Sequence, residues 1–553
     1  MKTILLACCI LFSSYTSFAQ TCPVNITFSS QSQIDNFRTK YPSCTEILGD
    51  VNIEESTPGN INSLNGLAGI LSIKGGISIQ NNSKLTSLSG LESIKKIGRD
   101  LRIEKNAAIN NLNGLTSVDT IFGMVAINGN NALKNAAGMK NLVTVGGNFN
   151  ITFNPLLPDL QGLENLSRIY GGLFISGNNS LTNLDALQGI KYVKYLELSN
   201  NFELTSLMGL SNIATIPGSI KIMHNYKLPN LDGLSGVKSI KGGISISNNT
   251  VLTNMSGLSG IKGVVDHLSI SENAALTSLA GLEGITAVNQ ELQIDANTAL
   301  TSLAALGNIT SIGKYLTISA NPVLKSIAPL VSLTSIKKGI SIVGNWALKD
   351  LTGLEAITSL GENLIITDNP ELTSLKALSS ITSINGLIRI NNNNSLTSLD
   401  GLQNINPATI TNISLQSSGN LSVCNFANIC AFLANPANPA IIRGNANNCG
   451  NRGEISNVCS VAVKDEADNL QNLQVYPNPA MQLLNIADAN IENGTYQVEC
   501  CNIFGQLVYS EKIKVFDNRL QMKLSLSDFS EGSYLITVRK GGNSKSIRVL
   551  KLN

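Results

Sequence analysis

The chain is poor in charge, in histidine and in long apolar runs, and each shortage closes off a class of function. Only 14% of its 553 residues are Asp, Glu, Lys or Arg, and 39 basic against 37 acidic residues leave a net charge of +2. No field of one sign draws it toward nucleic acid or an anionic membrane. There are two histidines, His224 and His267, and they occupy different places in the sequence pattern described below. Both read as lone surface side chains. No H-E-x-x-H, nucleophile elbow, phosphate loop or paired metal-ligand spacing occurs. No catalytic residue, cofactor or metal is therefore expected. Beyond the N-terminus no apolar stretch is long enough for a transmembrane helix. Cysteine is missing from the whole middle of the chain: discounting Cys8 and Cys9, the eight that remain sit at or before Cys44 and at or after Cys424.

What fills the middle is a repeat. An asparagine followed three residues later by Leu or Ile recurs as Asn82, Asn106, Asn130, Asn154, Asn178, Asn201, Asn225, Asn249, Asn273, Asn297, Asn321, Asn345, Asn369 and Asn393. Each lies 24 residues after the last, except for one step of 23. Such regularity means a solenoid. Three residues before the Asn stands Ile in thirteen of fourteen coils, and five before it another apolar residue. A spacing of two puts both side chains on one face of a strand, and β-branched Ile favours that conformation. Each coil should thus supply one parallel rung. The Asn follows where the chain must bend, and its amide can both donate and accept. Stacked coils would align these amides in a buried structural ladder. After the Asn, apolar residues come at steps of three, as in Leu85, Leu88, Leu91, Ile94 and Ile97, a spacing that fits corners, short strands or 3₁₀ turns. A Gly usually precedes the third of these, but Ala186, Ala305, Pro329 and Ala377 also stand there. A positive φ is therefore not obligatory at that place.

The pattern L-x-I-x-x-N-x-x-L-x-x-L-x-G-L-x-x-I-x-x-I resembles the receptor L-domain repeat, a divergent relative of leucine-rich repeats. The resemblance covers about 70% of the chain and implies a mainly β fold: a right-handed β-helix-like solenoid of 24-residue coils. It implies no catalytic residues. At ~4.8 Å per rung, some sixteen coils give a rod on the order of 75 Å long.

The ends differ from the coils. Met1 to Ala19 reads as a secretory signal, with Lys2, an apolar run from Ile4 to Phe12 and cleavage after Ala19. Residues 20–60 form an N-terminal cap, with a short helix over Ser32 to Tyr41, a first strand at Val51 and Ile53, and Ser56 in the Asn place. The solenoid proper spans 61–423. Residues 424–459 form a second cap that opens on a helix from Cys424 to Leu433. Solenoid ends expose apolar cross-sections and need covers, and cysteines flank both. Cys22 is expected to pair with Cys44; Cys424, Cys430, Cys449 and Cys459 allow three pairings, among which the sequence does not choose. Residues 460–472 read as a polar linker.

From Leu473 the composition changes to short strand-like runs, five to seven in about 80 residues, as in a small immunoglobulin-like β-sandwich. Tyr476-Pro477-Asn478-Pro479, the Phe504-Gly505 turn, Gly532-Ser-Tyr-Leu-Ile and the basic tail resemble the C-terminal sorting domain of the bacterial type IX secretion system. The resemblance implies that residues 473–553 partner the type IX machinery. The chain would then be secreted or held at the outer-membrane cell surface, with no transmembrane segment. Cys500 and Cys501 read as unpaired thiols.

A rigid scaffold with an export address and no reactive set points to a monomeric, non-enzymatic binding or adhesion protein. It would present an extended face to a glycan or protein ligand. Phe174 and Trp346 are the candidate ligand residues, because exposed aromatics can mark recognition. Two alternatives remain. A polysaccharide-active β-helix enzyme would need Arg102, Glu104 and Glu197 to converge. An ice-binding solenoid would use the Thr file four residues after the Asn.

Overall fold

The computed structural model describes residues 21–463, 470, 472–503, 506–541 and 543–552. The expected signal peptide, Phe504 and Gly505, and most of the expected linker lie outside the described residues. The described chain divides into two compact units, residues 1–456 and 457–553.

The first unit is built on an 18-stranded parallel sheet with one strand from each coil, such as Ile244–Ser247 and Leu268–Ser271. Neighbours pair in register, so Ile246 faces Ile270 and Ser245 faces Ser269. The apolar residues three and five before each Asn point inward, as do those at the steps of three after it. In the first full coil Ile77, Ile79, Leu85, Leu88, Leu91, Ile94 and Ile97 are all buried. A second, short strand near the end of most coils makes shorter parallel ladders, for example Lys96–Ile97 on Thr120–Ile121. Between the two ladders the chain passes through 3₁₀ turns such as Asn113–Leu115 and Ser256–Leu258.

The corner after the strand has two parts. The residue just before each repeat Asn has a positive φ in all fourteen coils: eleven are not glycine, among them Lys105, Phe153, Glu272 and Ala296, and three are Gly129, Gly177 and Gly344. The left-handed turn thus falls on the residue before the Asn. That frees the Asn side chain to face inward. All fourteen Asn are fully buried. In a typical step, Asn249 Nδ2–H donates to Ile222 O of the preceding coil at 3.0 Å and to its own Ser247 O at 3.0 Å. Its Oδ1 accepts the Asn225 backbone N–H at 3.2 Å. Each amide therefore satisfies backbone groups that the corner would otherwise bury unpaired. Glycine eight residues after the Asn serves close approach. A Cβ on Gly114 would fall on the carbonyl oxygen of Leu88 in the coil below, although Gly114 has no positive φ.

The first unit's ends depart from the expectations. The first rung is Ile26–Phe28, which pairs in parallel with Val51–Ile53. Three residues in a cap carry too little period to be read as a strand. The expected single helix is two, Gln31–Asp35 and Phe37–Lys40, and Ile34 and Phe37 are buried. Glu55, and not Ser56, stands in the Asn place: its N–H donates to Asn82 Oδ1 at 3.1 Å, while Ser56 N–H turns back to Ser29 O. The corner here is one residue shorter than the Ile count implies. At the far end Ser418 replaces the Asn, and Asn393 N–H donates to its Oγ at 3.1 Å. The ladder then resumes at Asn445, whose Oδ1 accepts Ser418 N–H and whose Nδ2–H donates to Leu415 O. Helix Ala427–Ala434 intervenes, and Ala440–Arg443 adds one more rung. Cys22 bonds Cys44 and Cys424 bonds Cys449; Cys430 and Cys459 are also disulfide-bonded. The linker expected from 460 does not begin there, because helix Arg452–Val463 runs through its first residues.

The second unit contains two antiparallel sheets. One joins Gln474–Tyr476, Leu483–Asp488 and Leu520–Ser525; the other joins Leu507–Val515, Gly494–Asn502, Gly532–Lys540 and Asn543–Lys551. Tyr496, Val498, Cys500, Ile536 and Val538 are buried in its core with Leu484 and Ile486.

Candidate ligand-binding surface

The outward side chains of the long parallel sheet lie two and four residues before each Asn, opposite the core-facing Ile and Leu. Most are small, polar and partly exposed. Phe174 is half-buried: its ring lies over Gly172, where a Cβ would strike it. Trp346, just after its Asn, is 62% exposed. The two stand seven coils apart and do not meet. Phe202 and Tyr226, also just after their Asn, stack with ring centroids 5.0 Å apart.

Arg102, Glu104 and Glu197 do not converge. Four rungs separate Arg102 from Glu197, roughly 19 Å at the spacing of a parallel sheet. Arg102 turns to Asp100 at 3.0 Å, and Glu197 faces Lys221 at 3.9 Å. The Thr file is engaged within the protein: Thr205, Thr277, Thr301 and Thr373 each donate the hydroxyl to the backbone of the coil below, as in Thr301 Oγ1–H to Thr277 O at 3.2 Å. These hydroxyls serve the stack.

His267 is not solitary. Its Nε2 lies 3.0 Å from Ser245 Oγ, and its Nδ1 lies 3.8 Å from Asp266. Register brings this about, since Ser245 lies on the rung below and the imidazole packs on Gly243. The contact resembles a nucleophile and base, but nearby amides are already committed. Gly243 N–H donates to Ser219 Oγ and Gly242 N–H to Gly218 O, so neither is free to hold an oxyanion. His224 occupies a left-handed corner with its ring nearly perpendicular to that of Tyr226, at 78°. A second cluster joins Tyr315, Lys338 and Glu362 in three successive coils. Lys338 Nζ lies 2.5 Å from Glu362 Oε1, and the Tyr315 hydroxyl donates to the other oxygen. The Lys338 hydrogen bond holds the Glu362 carboxyl below its ordinary range, and the bond to Glu362 raises the Tyr315 phenol. Glu362 thus stays ionised and paired. Among the described residues no three His, Cys, Asp or Glu gather in a metal-ligating group.

The sequence reading missed a group of aromatics on and just before the turn that leads into the rungs. Tyr170, Tyr192 and Tyr195 are 59%, 37% and 41% exposed. A cleft of ≈ 610 Å³ opens there, lined by Tyr170, Tyr192, Arg168, Lys191, Ser167 and Ile169. It lies where the one 23-residue step occurs. The second ladder runs unbroken to Arg168–Ile169 and stops. It resumes at Tyr192, which bridges to Thr215. The short step was visible in the sequence and could have marked this place.

In the second unit Asn478 Nδ2–H donates to Arg548 O at 2.8 Å, and its Oδ1 accepts Leu550 N–H at 2.9 Å. The Tyr-Pro-Asn-Pro segment is thereby held to the last strand. Gly532 has φ +148, a backbone that favours glycine, and Tyr534 two residues on donates its hydroxyl to Ser530 O. Gly494 and Tyr496 repeat this arrangement, with φ +148 and a bond to Glu492 O.

The profile of the secretion system C-terminal sorting domain matches residues 474–551. This part of the chain is such a domain, and it directs export by type IX secretion to the cell surface or the extracellular space. The match stops at the sorting domain and does not extend to the coils. No curated protein matches the chain. Among the described residues no helix is long and apolar enough to cross a membrane.

Proposed function

We propose that the exported chain is a non-enzymatic binding or adhesion protein whose coils form a receptor L-domain-like, right-handed solenoid. In this reading the C-terminal module is an immunoglobulin-like sandwich used for export. The observation that carries it is the 18-stranded parallel sheet, which presents two solvent-side columns on a scaffold closed in every repeat by a buried amide. A long, regular face of that kind suits a glycan or a protein better than a small molecule. A hydrolytic reading has one contact in its favour, Ser245 with His267. Against it stand the engaged amides beside that pair and the open surface around it, since acyl transfer requires aimed donors and excluded water. The test is to expose the full exported chain to arrays of glycans and surface proteins, and to polymer and ester substrates. Saturable binding without product is expected. Turnover that Ser245→Ala abolishes would overturn the proposal.

A further inference from the structure

The cleft at the short coil has a chemistry of its own. Ion pairs on this solenoid usually join a cation to a carboxylate one coil away, as in Lys74–Glu46, Lys227–Glu203, Lys338–Glu362 and Lys376–Asp400. Arg168, Lys191 and Lys194 are exposed in two successive coils, and among the described ion pairs none includes them. Their neighbours in the stack carry no charge: Val143 and Ser167 precede Lys191 in its column, and Thr144 and Tyr192 flank Arg168. Tyr170 and Tyr192 stand beside these cations in the cleft. The Lys194 ammonium lies 5.5 Å from the centre of the Tyr195 ring. That ring covers Gly218 as Phe174 covers Gly172, so flat aromatic faces continue from the cleft onto the sheet.

The opening coincides with the missing residue. The turn from the second ladder to the next rung has three residues between Ile169 and Leu173, but two between Val193 and Leu196. The shorter turn makes one bond to the coil below, Lys194 N–H to Gly171 O at 2.8 Å, where the preceding turn makes two, from Tyr170 N–H to Val145 O and from Gly171 N–H to Gly147 O. Lys191 and Tyr192 are not paired to Arg168–Ile169 as Thr144–Val145 is.

We propose that this cleft binds an acidic polysaccharide, with a pyranose stacked between Tyr170 and Tyr192 and its carboxylate or sulfate held by Arg168 and Lys191. Aromatic faces suit the C–H face of a sugar, and the planar guanidinium suits a carboxylate or sulfate. The coil spacing, ~4.8 Å, is close to the length of one sugar unit, and Phe174 and Tyr195 stand in the same two coils as Tyr170 and Tyr192, on the side toward the sheet. A single-stranded nucleic acid offers similar elements, but export to the surface or the extracellular space favours a glycan.

The inference rests on the binding function proposed above and deepens it. The full exported chain is titrated by calorimetry with alginate and polygalacturonate, with neutral dextran and laminarin, and with single-stranded DNA. Two variants, Tyr170→Ala/Tyr192→Ala and Arg168→Gln/Lys191→Gln, are measured beside it, with thermal unfolding as the check of folding. We expect binding of at least one acidic glycan, at least tenfold weaker in both variants, and no comparable binding of dextran, laminarin or DNA. Equal affinity for DNA overturns the inference, as does acidic-glycan binding that both variants retain. Binding of dextran or laminarin as tight as that of the acidic glycans overturns it too, while leaving the general binding function intact. Absence of acidic-glycan binding refutes it outright.

Discussion

If the buried amides close each coil, removing one should open a local defect of calculable size. Asn249 lies near the middle of the stack. Asn249→Ala deprives the Asn225 backbone N–H of its acceptor, takes a donor from Ile222 O and Ser247 O, and removes an acceptor from Asn225 Nδ2. The Asn225 side chain keeps Leu198 O and Met223 O, so it is not stranded. The backbone N–H is, in a fully buried corner. One orphaned donor costs about 1–3 kcal/mol and each further lost bond about 1 kcal/mol or less, so a loss of about 3 kcal/mol is expected. Solenoid energies are local and nearest-neighbour, which makes hydrogen exchange of the Asn225 amide a better gauge than a single melting point. At 1.4 kcal/mol per tenfold, its protection should fall by roughly 100-fold. Asn249→Ser supplies a control, because Ser418 already accepts Asn393 N–H at the end of the ladder. The serine keeps an acceptor and loses the amide NH2 that serves two carbonyls, so about half the effect should remain. Exchange within tenfold of wild type in the alanine variant would refute the reasoning, and so would an equal loss in both variants.

Ala320 holds a left-handed corner at φ 51. Ala320→Gly should raise stability to urea by up to about 1 kcal/mol, and Ala320→Val should lower it by about 1–2 kcal/mol; a glycine variant no more stable than wild type would count against the strain. Glu55 gives the N-terminal end an acid limb. Burial alone pushes its carboxyl up, but the N–H groups of Ser83, Gly59 and Ile61 and the Ser83 hydroxyl outweigh this and hold it at about 2, below the ordinary 4.5. A folded-state value below the unfolded one adds stability that is complete above the ordinary value and is lost as pH falls through the folded one. The protection of the first coils against exchange, corrected for the intrinsic rate, should therefore fall between about pH 5 and about pH 2 in wild type and less in Glu55→Gln; identical limbs would sink the claim. Asn478→Ala removes both side-chain bonds to the last strand. It should cost the sorting domain about 2 kcal/mol and reduce the surface fraction of the chain, as measured by protease shaving of cells; an unchanged melting temperature would contradict it.

The coil interior was legible because every inward position obeys one rule. Ile and Leu two apart specify a strand facing a core, and steps of three specify tight corners. The left-handed residue was less legible. Lys105, Phe153, Glu272 and Ala296 share no side-chain chemistry. They share an absence, since no Val, Ile or Thr occurs just before the repeat Asn, and those are the side chains that such a backbone excludes most strongly. Asn445 was hidden by the helix inserted before it, and Ile26–Phe28 by its brevity. The surface was least legible. Ser245 and His267 are 22 residues apart in sequence, and only the register of the sheet brings them together. The same holds for Tyr315 with Glu362.

The repeat also indicates where specificity can reside. A coil bound to 24 residues, seven apolar side chains and one amide has little freedom inward, because each of those groups also supports its neighbours. Variation is free only outward, and a ligand that distinguishes this chain must read a place where the period breaks. Three breaks stand out. The two-residue insertion after Val51–Ile53 is occupied by Glu55, whose carboxylate is consumed by backbone N–H groups. The replacement of Asn by Ser418 is absorbed in the closing cap. The 23-residue step alone ends in unpaired cations and exposed rings. Since the first two breaks serve the ends of the stack, and the third lies between coils that are otherwise regular, it is the place in the solenoid where a departure from the repeat has no structural duty to explain it.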